Sequence, residues 1–177
     1  MSQLSHQLRQ RLVYLSVILM IVPIPALWLP RFVMFSTVGL IDSLFALIVP
    51  ALMGTSPFFV LVFYWTFRRV PPNLFDAARL DGAGTLQTWW LIALPAARTS
   101  VIVVSVLTFT LYWNDYMNSL IYIRSEGLYT LSLRLQQFMT QDIGNQPLAM
   151  AAAVLAILPV MVLVLSIQRY LWSEDRS

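Results

Sequence analysis

Four long apolar segments alternate with polar ones along the chain, and this alternation predicts four membrane-spanning helices. The apolar segments cover approximately residues 12–30, 44–67, 100–123 and 147–172. Each is long enough for an α-helix to cross about 30 Å of hydrocarbon. A helix satisfies its own backbone hydrogen bonds, as a membrane interior requires. The pattern therefore predicts an all-α fold, a polytopic membrane helix bundle formed as a single domain by residues 1–177.

Prolines and small residues refine this picture within the spans. Pro23 and Pro25 predict a kink in the first span, and residues 31–42 are predicted to be a short connection that contains Gly39. The fourth span carries alanines four positions apart, a spacing that favours close packing against another helix. These alanines are Ala149, Ala152, Ala153 and Ala156.

The polar interval between the second and third spans, residues 71–95, has a helical pattern of its own. Pro71 and Pro72 end the preceding helix, and Pro72 suits the first position of a new one. Asp76 is expected near the first turn of that helix, where the helix dipole favours a negative charge. Gly82 is expected to end the helix in a left-handed conformation, and Thr85 to cap a second short helix. The apolar face of the second helix would consist of Leu86, Trp89, Trp90 and Leu94.

The distribution of arginine predicts the orientation of these segments in the membrane. If the N-terminus lies in the cytoplasm, eight arginines face the cytoplasm and three face outwards, in agreement with the positive-inside rule. The inner set is Arg9, Arg11, Arg68, Arg69, Arg79, Arg98, Arg169 and Arg176, and the outer set is Arg31, Arg124 and Arg134. Both termini and the 71–95 loop are therefore predicted to be cytoplasmic, and the 122–146 loop to lie outside.

Composition excludes several kinds of chemistry. The chain is 59% apolar and only 11% charged, with a mean hydropathy of +0.74, which is typical of a membrane protein. All eleven basic residues are arginine, so no Walker A phosphate loop can form, because that loop requires lysine. Without cysteine and with a single histidine, the chain predicts no metal site, no catalytic residue set and no cofactor. It lacks the basic stripe with interleaved aromatic residues that would indicate nucleic-acid binding.

The 71–95 loop resembles the "EAA" loop of permease subunits in ATP-binding cassette (ABC) importers. That pattern is Glu-Ala-Ala, three residues, Gly, nine residues and Ile-x-Leu-Pro, and this chain departs from it only in carrying Asp76 for the glutamate. The resemblance implies that the loop docks into a cytoplasmic ATPase. The coupling residues would be Asp76, Ala77, Ala78, Asp81, Gly82, Ile92, Leu94 and Pro95. The alternatives are an interfacial amphipathic hairpin without a partner, and an Asp76 that only caps its helix.

A second candidate site is the triplet Trp113-Asn114-Asp115 in the third span, which resembles the sugar-type branch of these permeases. Asp115 lies 17 residues after Arg98, or about 25 Å of helix, which places it near the outer edge of the hydrocarbon. An ionisable residue within a span is expected to face protein or a polar pathway. The alternative is an interfacial tryptophan belt with Asp115 already in water.

The outer loop, residues 122–146, is similar to a loop that projects towards the solute-binding protein in oligosaccharide importers. Its apolar residues are Leu128, Leu131, Leu135 and Phe138, and they would also suit an interfacial helix with no partner.

Taken whole, the resemblance is to a type I ABC importer permease of the carbohydrate type, similar to the smaller permease subunits of maltose systems. It implies a location in the bacterial cytoplasmic membrane, surrounded by lipid. The expected partners are ATP-binding cassette ATPase subunits, a second permease and an extracytoplasmic solute-binding protein. Such permeases have six spans, and the first two are expected to be missing here. The alternative function is a truncated scaffold that binds an ATPase without transporting, and a membrane enzyme is less favoured still.

The predicted orientation can be tested by labelling single cysteines, because the chain contains none of its own. We expect Ser132→Cys to react with a membrane-impermeant maleimide on intact cells. Thr85→Cys should react only after the membrane is permeabilised. Reaction of Thr85→Cys from outside intact cells would contradict the orientation.

Overall fold

Helices account for all the regular structure in the part of the chain that the computed structural model describes, residues 6–52, 56–141 and 146–174. The α-helices are α1 (His6–Ile21), α2 (Trp28–Val38), α3 (Phe45–Leu52), α4 (Pro57–Arg69), α5 (Pro72–Leu80), α6 (Thr85–Thr88), α7 (Leu94–Ala96), α8 (Arg98–Trp113), α9 (Tyr116–Tyr122), α10 (Leu131–Gln141) and α11 (Gln146–Glu174). Short 3-10 turns occur at Ile24–Leu27 and Glu126–Leu128, and a π-helical turn at Trp89–Ala93.

The described segment Pro147–Gln168 is long and apolar enough to cross a membrane as it stands. The stretch Phe45–Arg69 also has the length and composition of a span, but residues 53–55 within it lie outside the described part. Two bent helix pairs, Gln7–Ile21 with Ile24–Val38 and Thr85–Ala96 with Arg98–Trp113, would raise the number of candidate spans to four if each pair forms one span.

The chain forms two compact units. The first contains the described parts of residues 1–22 and 55–105. Within it, α1 packs along α4, and the buried side chains of α4 are Phe59 and Tyr64. A hydrogen bond of 2.6 Å between the hydroxyls of Thr66 and Ser100 joins the end of α4 to the start of α8.

The second unit contains the described parts of residues 23–54 and 106–177. Its core consists of Phe35 on α2, Ala46 on α3 and Tyr122 on α9. The rings of Phe35 and Tyr122 meet edge to face with their centres 5.4 Å apart. Pairs of aromatic rings prefer this geometry. Helix α10 packs against α9 and α11.

The first predicted span differs from the observed helices. The helix stops at Ile21, a 3-10 turn follows Pro23, and α2 then continues to Val38 through residues predicted to be a connection. Pro30 is tolerated because it is the third residue of α2, where a backbone N–H has no helical partner. The connection is therefore only the turn at residues 39–44, which begins with Gly39 at φ +72°.

The third predicted helix, residues 100–123, is also not continuous. Helix α8 ends at Trp113, and α9 begins at Tyr116 with Asp115 as its N-cap. A capping carboxylate stabilises the start of a helix, so the sequence places a helix boundary where hydrophobicity alone predicts continuity.

One carboxylate fixes the turn after α2 to the loop after α9. Asp42 Oδ1 accepts hydrogen bonds from the backbone N–H groups of Arg124 at 2.9 Å and Ser125 at 2.7 Å. Asp42 Oδ2 accepts the hydroxyl of Ser125, and the Asp42 N–H donates to the Tyr122 carbonyl at 2.8 Å. We call this set of contacts the Asp42 clamp. The Ser125 hydroxyl and these two N–H groups, with the nearby Arg124 charge, hold the pKa of Asp42 below its ordinary value.

The lowered pKa predicts how the clamp depends on pH. The charged form of Asp42 is favoured in the folded state, so its contribution is complete above the ordinary value of 3.8 and is lost as the pH falls through the folded pKa. We expect hydrogen exchange of the Arg124 and Ser125 amides, corrected for intrinsic rates, to stay slow at neutral pH and to accelerate only below that ordinary value.

Asp42→Asn is the matched control, because an amide oxygen accepts the same N–H groups without titrating. The nearby charged residues, Arg124 and Glu126 on this loop and Arg134 on α10, are the same in the wild type and in the control. Equal acid-induced acceleration in the wild type and in Asp42→Asn would show that another group is responsible.

Candidate functional site

The 71–95 segment forms the helix, glycine turn and second helix that its sequence predicts. Helix α5 begins at Pro72 and ends at Leu80, and Gly82 has the expected positive φ of +76°. The N–H of Gly82 donates to the Arg79 carbonyl at 3.1 Å and that of Ala83 to the Ala78 carbonyl at 2.9 Å. These two bonds define a Schellman turn, which satisfies the last carbonyls of the helix. The turn therefore has a fixed conformation.

Two local predictions for this segment are wrong. Asp76 lies in the second turn of α5, not the first, so it is too far from the helix end to gain much from the dipole. The N-cap of the second helix is Gly84, not Thr85. Gln87 Oε1 accepts the Gly84 N–H at 3.0 Å, which is the half of a capping box that the third helical residue supplies.

Most of the predicted coupling residues lie on the surface. Asp76 forms an ion pair with Arg79 at 3.4 Å, and both side chains are about two-thirds exposed, at 65% and 66%. Such a pair contributes little to stability, so Asp76 remains available to a partner. The other exposed members of the set are Ala77, Asp81, Gly82 and Pro95. Ala78 is instead buried, and Ile92 and Leu94 are half-buried.

Large apolar side chains surround this surface. Leu80 is 89% exposed, and Leu86, Trp90 and Leu91 are also exposed. Trp89 and Trp90 meet edge to face with their ring centres 5.0 Å apart. Contiguous exposed apolar surface next to a fixed turn is typical of a contact with a membrane or another protein.

A cavity of about 260 Å³ lies beneath the same segment. The sequence does not indicate this cavity, because its walls meet only in the folded unit. They come from α4, α5, α6, the Gly82 turn and the π-helical turn. The lining residues are Phe67, Phe75, Arg79, Ala83, Thr85, Thr88, Trp89 and Ala93. Helix α5 is therefore separated in part from the helices around it.

The second predicted site combines a packing residue with a helix cap. The Trp113 indole N–H donates to the Ala156 carbonyl on α11 at 3.0 Å. Asn114 donates to the Thr110 carbonyl at 2.8 Å. Asp115 accepts the Asn118 N–H at 3.1 Å and its side-chain amide at 2.6 Å. The triplet thus ends α8 and starts α9.

Further polar groups beside Asp115 were not singled out from the sequence. Asn118 Oδ1 and the Tyr122 hydroxyl are buried and have no hydrogen-bond partner within the described residues. Arg31 on α2 lies close enough to interact electrostatically with Tyr122 and Tyr112. The sequence carries a weak signal for this group, since Asn118 and Tyr122 are one helical turn apart, but only the fold brings Arg31 to them.

Comparison with known proteins finds transport permeases among the relatives of this chain. An arabinooligosaccharide transport system permease protein of Halalkalibacterium halodurans is 30% identical over 88% of this chain and 55% of its own length. A lactose transport system permease protein of Rhizobium radiobacter is 28% identical over 92% and 59%. An sn-glycerol-3-phosphate transport system permease protein of Yersinia pestis is 28% identical over 92% and 58%.

A solved structure supports the fold. It is a bacterial ABC transporter involved in the import of the acidic polysaccharide alginate, with a TM-score of 0.67 and 24% identity over 80% of this chain and 55% of that one. The chain spans little more than half the length of the proteins it matches. The all-α fold of an ABC importer permease is therefore shown.

The family model that matches is "Binding-protein-dependent transport system inner membrane component", over residues 3–173. That match covers nearly the whole sequence, and the chain belongs to this family of ABC transport permeases.

Proposed function

We propose that this chain is the transmembrane permease subunit of an ATP-driven importer for a sugar or a related polyol. Family membership supports the transport role, and relatives named for arabinooligosaccharides, lactose and sn-glycerol-3-phosphate support the class of substrate. The observation that carries the proposal is the fixed, exposed Schellman turn at Gly82. It stands at the glycine of the loop pattern that these permeases use for coupling.

In this proposal, ATP-binding cassette subunits dock on the exposed face of α5 and on the Gly82 turn. Asp76 and Asp81 would offer charge, and Ala77 would allow close approach of the helix backbone. Ala78 packs inwards and would hold the docking helix in place. ATP hydrolysis belongs to the partner chains, because a chain without lysine cannot form a Walker A loop.

The loop is suited to transmit a displacement into the membrane helices. Its two ends are held together by the hydrogen bond between Thr66 and Ser100. Ile92, Leu94 and Pro95 lead directly into α8 at Arg98. Because the Schellman turn resists local bending, a push on α5 would move the loop as one piece and reach α4 and α8. The cavity under α5 provides room for such a movement.

The translocation pathway would form together with a second permease subunit, and a solute-binding protein would deliver substrate from outside. Trp113, Asn114 and Asp115 are the proposed pathway residues, and the buried polar atoms of Asn118 and Tyr122 support a polar environment there.

Both termini are proposed to be cytoplasmic, in the bacterial cytoplasmic membrane. The Asp42 clamp supports this proposal, since it joins the turn after α2 to the loop after α9, and the arginine distribution predicts both to lie outside. The Pro147–Gln168 segment supports a membrane location by its length and its apolar composition.

Substitution of Gly82 tests the coupling role. Gly82→Val places a β-branched residue at φ +76°, at a cost of about 1–2 kcal/mol, or roughly a tenfold loss of the docking conformation. A Cβ at this position would meet no atom within 4 Å, so the effect is conformational and not steric. We expect the variant to insert into the membrane, but to co-purify less ATPase and to lose most uptake.

Gly84→Ala is the matched control, because Gly84 lies in the same turn at φ −66° and its added Cβ would meet only the end of Gln87, at 3.9 Å. Gly82→Asn should recover much of the function, since asparagine tolerates a positive φ. Normal uptake by Gly82→Val would rule out the coupling role. Normal ATPase binding by the wild type without any uptake would favour the scaffold alternative.

Two substitutions of Asp115 separate capping from a pathway role. Asp115→Asn keeps a good N-cap for α9, whereas Asp115→Leu removes it at a cost of about 1 kcal/mol. We expect Asp115→Asn to retain wild-type thermal stability in detergent while uptake changes, and Asp115→Leu to lose both stability and uptake. If Asp115→Asn transports normally and only Asp115→Leu is impaired, the residue acts as a helix cap alone.

A further inference from the structure

The Asp42 clamp holds a residue in an unfavourable backbone conformation. Asp42 has φ +62° and is the only residue other than glycine with a positive φ in the described ranges. This left-handed conformation is unfavourable for aspartate, and such positions persist only where surrounding contacts compensate. Here the compensating contacts all lie on one distant segment, residues 122–125, which is 80 to 83 positions further along the chain.

The loop that the clamp holds is also fixed from its other side. The Tyr129 hydroxyl donates to the Arg124 carbonyl at 3.1 Å, and Arg134 Nη2 donates to the Glu126 carbonyl at 2.6 Å. The Arg134 guanidinium lies 4.8 Å from the centre of the Tyr129 ring, a distance that gives a cation–π attraction. Residues 124–129 are therefore held by hydrogen bonds at both ends of the loop.

The exposed part of this loop is polar. Arg124, Ser125, Glu126 and Gly127 are all exposed, and none has a large apolar side chain. Such a surface has little affinity for lipid chains and instead suits the polar surface of a folded, soluble protein. A loop that is already ordered does not lose conformational entropy when a partner binds, so its binding is tighter than that of a mobile loop with the same side chains.

We infer that Asp42 is a positioning residue, which holds residues 124–127 as a preformed surface for docking of the solute-binding protein. The inference rests on the proposed function, because that function supplies the partner. Asp42 need not contact the partner itself. Its carboxylate acts through the Arg124 and Ser125 amides, and its left-handed backbone aims the carboxylate at both.

Three substitutions of Asp42 separate the effect of losing the carboxylate from the effect of straining the backbone. Asp42→Gly keeps the positive φ and removes the carboxylate. Asp42→Asn keeps an oxygen that can accept both N–H groups, and asparagine tolerates the left-handed conformation. Asp42→Ala loses both the acceptor and the conformational tolerance.

The experiment uses the complete importer in lipid nanodiscs, with its ATPases, second permease and substrate-loaded solute-binding protein. ATP hydrolysis is measured as the concentration of binding protein is varied. For Asp42→Gly we expect the half-maximal concentration to rise by about tenfold, through the restored loop entropy, while the maximal rate stays within about twofold. Asp42→Asn should keep the wild-type half-maximal concentration.

Trypsin cleavage after Arg124 is the second measurement, since cleavage requires local opening of the loop. It should be faster in Asp42→Gly and Asp42→Ala than in the wild type or Asp42→Asn. An Asp42→Gly assembly with fast cleavage and an unchanged half-maximal concentration would overturn the inference, as would a lower maximal rate at an unchanged half-maximal concentration. A wild-type assembly that does not respond to the binding protein would overturn the proposed function together with the inference.

Discussion

Each helix that stops in apolar surroundings leaves backbone groups that must find new partners, and the architecture of this chain depends on how those groups are satisfied. Helix α5 ends in the Schellman turn at Gly82, which uses its own carbonyls. Helix α9 begins with the Asp115 carboxylate. The turn after α2 combines the left-handed Gly39 with Asp42, whose carboxylate satisfies N–H groups of another loop. Both surfaces with a proposed partner lie next to such an interruption.

The sequence predicted the features that depend on neighbouring residues. Pro72 at the start of α5 and the positive φ of Gly82 follow from the stereochemistry of single residues, and both are present. Hydrophobicity also indicated the apolar segments, although it overlooked the break at Asn114-Asp115. Pro23 and Pro25 predicted the kink in the first span, and the two helices there are bent by 89°. Hydrophobicity averaged over many residues cannot show a helix boundary that depends on a single capping carboxylate.

Features that need distant residues could not be read from the sequence. Asp42 and Ser125 are 83 positions apart, and neither has a pattern that would pair it with the other. The same holds for Arg31, which approaches Tyr122 only once α2 packs on α9. The N-cap at Gly84 shows a different limit, because Thr85 is a good capping residue by type but is already the first residue inside the helix. The capping preference of a residue does not determine where the helix begins.

The contact between Trp113 and α11 ends at a backbone carbonyl and not at a side chain. Every residue type at position 156 would offer that same acceptor, so the bond constrains the chemistry of Trp113 alone. Position 156 is constrained only in size, because the helix must come close enough for the indole to reach it. Among related sequences, such a bond would leave a conserved donor without any co-varying partner. A search for paired changes would therefore miss a contact that fixes the depth of one helix against another.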